Sequence, residues 1–144
     1  MALQMSYTAN NGEKFEESYW VVSDIDIFKK LHTSEDMMRK SLDLKEGESP
    51  EVKAPARDTT PGYYLHLTVL GFKSAADREA GGGPICICHR YPTKHPTWFQ
   101  YMDRKDMNEL DDIVWDMSSN ANMLTTAYAH LKTLDFWSSA TDVN

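Results

Sequence analysis

The sequence predicts an α+β fold, an antiparallel sheet of about four strands drawn from residues 3–91 with two C-terminal helices packed on one face. Along the first two thirds, apolar residues alternate with polar ones, the period of a strand with one wet face. In the last third they recur at three- and four-residue spacing, the period of a helix with one buried stripe. A chain of 144 residues suits a single domain spanning 1–144, and 41% hydrophobic with 26% charged residues is ordinary for a folded protein.

Leu3, Met5 and Tyr7 alternate with Gln4, Ser6 and Thr8 to give a first strand, and Asn10-Asn11-Gly12 supplies residues that tolerate positive φ in a turn. From Phe15 to Phe28 the odd positions carry Phe15, Tyr19, Val21, Ile25 and Ile27, with Asp24 and Asp26 on the other parity. This is a long second strand, antiparallel to the first because so short a connection cannot make a parallel crossover. Ser34-Glu35-Asp36 can open a short helix ending near Leu44. Residues 45–60 hold too little apolar surface to offset the entropy of ordering, so a mobile or assembly-ordered loop is expected there.

Pro61-Gly62 restarts the sheet, and Tyr63, Leu65, Leu67 and Val69 alternate with Tyr64, His66, Thr68 and Leu70. Both parities are apolar enough for a strand covered on two faces. Residues 73–84, polar with a helical turn and then Gly81-Gly82-Gly83-Pro84, read as the tip of a projecting hairpin whose second arm is Ile85 to Tyr91. Trp98, Phe99 and Tyr101, beside Arg90, Lys94 and Arg104, form either a packing loop or an exposed partner contact. Asp106, Met107, Leu110, Ile113, Val114 and Met117 give one helical stripe, and Met123, Leu124, Ala127, Tyr128, Leu131 and Leu134 a second. Ser118-Ser119-Asn120 separates them, and Ser119, Asn120 or Asn122 can cap the later helix.

Chemistry finds little footing. Cys86, Cys88, His89 and His95 are zinc-ligand types, but a structural zinc site sets two ligands at Cys-x2–4-Cys spacing and a second pair further along. Cys-x-Cys without that second pair reads as half-buried strand, and two cysteines on one strand face make a poor disulfide. The five histidines join no recognisable nucleophile motif. Gly81-Gly82-Gly83 lacks the Gly-Lys-Ser/Thr context of a phosphate loop. Glu109, Asp111 and Asp112 read as the wet side of a helix. No catalytic, cofactor-binding or metal-ligating residue is assigned, and no cofactor is expected.

The net charge of −7 argues against nucleic acid, whose phosphates call for a basic surface. No apolar run reaches the roughly 18 residues a membrane-crossing helix needs. The opening Met-Ala-Leu-Gln-Met-Ser-Tyr lacks the charged start and apolar region of a secretory signal peptide, so assembly in a cytoplasm is expected.

The C-terminal stretch, Ala-Tyr-x-x-Leu-Lys-Thr-Leu, then a Phe, then Ala-x-Asp-Val, resembles a pattern of small bacteriophage virion proteins. The usual form there is Ala-Tyr-x-Tyr-Leu-Lys-Thr-Leu-Pro-Glu-Phe-x-x-Ala-x-Asp-Val. Tyr128, Leu131, Lys132, Thr133, Leu134, Phe136, Ala140, Asp142 and Val143 match, His130 replaces the second aromatic, and Asp135-Phe136-Trp137 departs from Pro-Glu-Phe. Leu-x-Met-x-Tyr, a Gly turn and Ser18-Tyr19-Trp20-Val21-Val22 are similar to the first hairpin of the same proteins. The resemblance implies a virion structural component of the tail or baseplate region, and no chemistry.

The expected role is thus a tail or baseplate adaptor or connector. It would contact other virion structural proteins in a homo-oligomer or symmetric assembly made in the host cytoplasm. Two alternatives stay open: a capsid cement or decoration protein, and a small metal-binding protein or enzyme using Cys86, Cys88 and His89. Candidate partner contacts are Trp98, Phe99, Tyr101, Phe136 and Trp137, of which the last two either close the core after the helix, the favoured reading, or dock on another subunit.

Overall fold

A computed structural model describes residues 1–29, 63–90, 103–116 and 122–143. In it β1 (Ala2–Thr8), β2 (Lys14–Lys29), β3 (Tyr63–Phe72) and β4 (Cys86–His89) lie side by side, each antiparallel to the next. The first turn uses its residues as their chemistry suggests: Gly12 takes φ +89°, and the Asn11 side-chain oxygen accepts the Glu13 N–H at 2.9 Å.

The architecture expected from the sequence needs correction, because three further strands come from the last third of the chain. β5 (Asp103–Asp106) runs parallel to β4, β6 (Ile113–Trp115) pairs with β3, and β7 (Thr141–Val143) pairs with β1. The result is one mixed seven-stranded sheet in the order β5-β4-β3-β2-β1-β7, with β6 also on β3. Among the described residues the helices are a five-residue α1 (Ala75–Glu79) and a single longer one, α2 (Met123–Thr133), instead of two on one face.

The stripe read as the first C-terminal helix is divided between the end of β5, a 3-10 turn at Asn108–Leu110, and β6. Leu110 and Ile113 are both buried, as the stripe implied, but Asp112 at φ +56° turns the chain between them. Aspartate tolerates that left-handed conformation better than most residues, and Ile-Val-Trp favours a strand once it begins.

Two bulges set which side chains reach the core. Between Met5 and Tyr7 the register on β2 moves from Ser18 to Phe15, and β2 inserts a second extra residue at Ser23, since Val22 faces Val69 and Asp24 faces Thr68. An extra residue exchanges the faces of everything beyond it. Trp20 and Val22 therefore share the inner face with Ile25 and Ile27, while Tyr19 and Val21 turn to the outer face.

On the inner face, Leu3, Met5, Tyr7, Trp20, Leu65, Leu67, Val69, Cys86 and Cys88 pack against Ala127, Tyr128 and Leu131 of α2 and against Trp137. Asn122 caps α2 by accepting the Thr125 N–H at 2.7 Å. The outer face holds a smaller cluster of Ala2, Tyr19, Val21 and Phe72. Arg78 of α1 lies 5.8 Å from the Tyr19 ring and 5.6 Å from the Phe72 ring, so the segment expected as a hairpin tip is laid back on the sheet by cation–π contact. The loop expected at 45–60, the short helix before it, and Trp98, Phe99 and Tyr101 lie outside the described residues.

Candidate functional site

Two places gather the residues that sequence reasoning singled out, and a third gathers residues it passed over. The first is the closure of the chain ends. After α2 a 3-10 turn at Asp135–Trp137 carries Phe136 and Trp137 under the sheet. Their rings stand edge-on to Trp20 at 5.2 and 5.9 Å, and Phe136 also meets Tyr7 at 5.9 Å. Trp137 is fully enclosed, whereas Phe136 is half-buried and lines an open cleft of ≈ 600 Å³ with Lys105, Met107, Glu109 and Leu134 among its walls. Lys132 binds Asp142 at 2.8 Å, which ties α2 to β7.

The second is the cysteine pair. Cys86 and Cys88 are fully buried in the inner core with their sulfurs 4.0 Å apart. A hydrogen bond from Cys88 lowers the Cys86 thiol below its ordinary pKa against the opposing effect of burial, and burial pushes Cys88 up. Next to them the Tyr7 hydroxyl donates to Asp103 at 2.5 Å, and burial, then this bond, raises the phenol. His89 is half-buried at the end of β4. Among the described residues, the cysteines belong to no group of three metal-ligating side chains.

The third place is a fork in the sheet. Along one edge of β3, Val69–Gly71 pair with β4 and Tyr63–Leu65 pair with β6, and His66 falls in the interval. Arg90, just past β4, and Asp111 and Asp112, just before β6, converge on that interval. Asp111 is 5% exposed; it accepts a hydrogen bond from the Arg90 guanidinium through Oδ2 and faces His66 Nε2 through Oδ1. Asp112 Oδ1 lies 3.8 Å from His66 Nε2. Phe28 packs its ring 4.1 Å from the imidazole, and Asp26 is the cross-strand neighbour of His66. Desolvation lowers the His66 pKa from its ordinary value, while Asp112 and Asp26 oppose and Arg90 and His89 reinforce the shift.

Sequence assigns no site role to His66, Arg90, Asp111 or Asp112: the acids read as the wet side of a helix, His66 as part of the third strand, and Arg90 as one of the basic residues beside the Trp98 aromatics. The one local signal is the Asp-Asp pair interrupting an apolar stripe just before Ile-Val-Trp. With the fold in hand, these elements make a half-buried cluster of one imidazole and two carboxylates, chemistry suited to a cation or to proton exchange. No protein-family model, curated protein or solved structure matches the chain.

Proposed function

We propose that the protein is a bacteriophage virion structural component, a tail or baseplate adaptor that works by contacts with other virion proteins. The observation that carries this reading is the meeting of the two stretches that resemble phage virion proteins. Ala2, Leu3 and Gln4 pair with Val143, Asp142 and Thr141, and Tyr7 and Trp20 of the first hairpin pack on Phe136. Within the C-terminal signature, Tyr128 and Leu131 are buried, and Lys132 and Asp142 are each other's ion-pair partners. Residues matched at opposite ends of the sequence thus act as one closing unit, which supports a shared structural origin for both resemblances.

The test is antibody labelling of intact and disrupted phage particles viewed by electron microscopy, with antibody raised to the recombinant chain. Label at the tail end is the expected result. Label over the head moves the protein to a capsid cement role, and absence from particles in both conditions overturns the structural reading.

A further inference from the structure

We infer that the fork between β4 and β6 is a binding site for one divalent first-row transition metal ion, held by His66, Asp111 and Asp112. This is separate from the assembly role proposed above and from the cysteine pair. One donor atom from each of the three side chains lies within 4.8 Å of the others. Zinc, manganese or iron(II) bonds to such donors at about 2.0–2.2 Å, so side-chain adjustments of the order of an ångström bring all three onto one ion.

A second observation points to a ligand. Asp111 Oδ1 and His66 Nε2 are both buried and meet as an ion pair that lacks the geometry of a hydrogen bond. Buried polar atoms are nearly always hydrogen-bonded, and an ion shared between these two would supply the bonds they do not make. Asp111 is not free to swing away, because Arg90 holds its other oxygen. That contact fixes a ligating carboxylate much as outer-shell hydrogen bonds do in metal sites. The imidazole selects against calcium and magnesium, which take oxygen ligands. His66 and Asp112 have side chains 37% and 42% exposed, so an ion can enter from solvent and keep water in its remaining positions.

The experiment uses the full recombinant chain, stripped with chelator and titrated with Zn²⁺ and with Mn²⁺ by calorimetry and by thermal melting. One ion bound per chain with a higher melting temperature is expected. His66→Gln and Asp112→Asn should each weaken binding by roughly tenfold or more and abolish the thermal shift. Asp112→Asn leaves the Arg90–Asp111 contact in place, so it reports on ligation even if Asp111 variants fail to fold. Cys86→Ser/Cys88→Ser should bind as the parent does. Lack of saturable binding, unchanged affinity in both ligand variants, or loss of binding in the cysteine variant would each overturn the assignment.

Discussion

Gly71→Ala puts the packing of the inner face to its sharpest test. Gly71 lies directly across from Trp20 in the β2–β3 register, and a Cβ built on it would stand 2.6, 2.7 and 2.8 Å from Cζ3, Cη2 and Cε3 of that indole. Ordinary carbon contacts are about 3.5–4.0 Å, so the ring must retreat by roughly an ångström. Its freedom to do so is small. Tyr7 and Phe136 each stand edge-on 5.2 Å away, Trp137 closes the pocket at 5.9 Å, and the indole N–H donates to Ser18 Oγ at 2.8 Å. Ser18 in turn donates to the Met5 carbonyl at 2.6 Å, so movement of the indole pulls on the first bulge as well. Overpacking of this kind costs about 1–3 kcal/mol, and the interlocked rings place the expectation at the upper end. Urea unfolding followed by tryptophan fluorescence measures it. Gly83→Ala is the control: it meets nothing within 4 Å and its φ is not positive, so it should be neutral or stabilising by up to about 1 kcal/mol. A Gly71→Ala cost under about 0.5 kcal/mol, the range of surface changes, would show that Trp20 is not held as described.

Two further substitutions probe α2. Leu131 is fully buried beneath the sheet, so Leu131→Ala should cost about 2–5 kcal/mol in the same urea assay, and a change within the surface range would contradict that burial. Tyr128→Phe removes the hydroxyl that accepts the Val22 N–H at 2.9 Å beside the second bulge, for an expected loss of about 1–3 kcal/mol as that donor is left without its acceptor. Burial holds the Tyr128 phenol above its ordinary value of 10.0, so the folded chain keeps a proton that the unfolded chain releases as pH rises through that value. Stability should therefore fall as pH rises through 10.0, with the raised Tyr7 phenol and Cys88 thiol adding to the decline, and Tyr128→Phe should flatten part of it. An unchanged slope would place the phenol in water.

Strands β1 to β4 were legible because alternation is a local signal and a half-buried strand cannot hide it. The α2 stripe was legible for the same reason. The bulge at Ser23 was not: Tyr19, Val21, Ile25 and Ile27 share a parity in sequence and occupy opposite faces in the sheet, because one inserted residue leaves no compositional mark. Residues 106–117 misled for a different reason. A 3-10 turn followed by a strand buries Leu110 and Ile113 at a spacing of three, which a helix also does; the extended backbone at Met107 and Asp111, the positive φ of Asp112 and the strand after it separate the two. The metal pocket inherits that error. His66, Arg90 and Asp111 have no spacing in common and meet only because β6 lies along the same edge of β3 as β4.

The way the sheet ends bears on how a partner would attach. β5, at one end, reads Asp-Arg-Lys-Asp, and β7, at the other, is three residues long with Asp142 at its centre. Beyond the reach of β1, the remainder of β2 carries Asp24 and Asp26. Short strands and charges are how exposed edges are kept from recruiting another chain's strand. Among the described residues, an added strand is therefore a poorly suited mode of assembly. The cleft beside Phe136 has the opposite character. It pairs a half-buried aromatic from the phage-like signature with Met107 and Leu134, and Lys105, whose ammonium lies 5.0 Å from the Phe136 ring, and Glu109 supply charge at its walls. Trp137 holds Phe136 in place from the core side, so within the Phe-Trp pair one ring is enclosed in the core while its neighbour lies half-buried at the cleft.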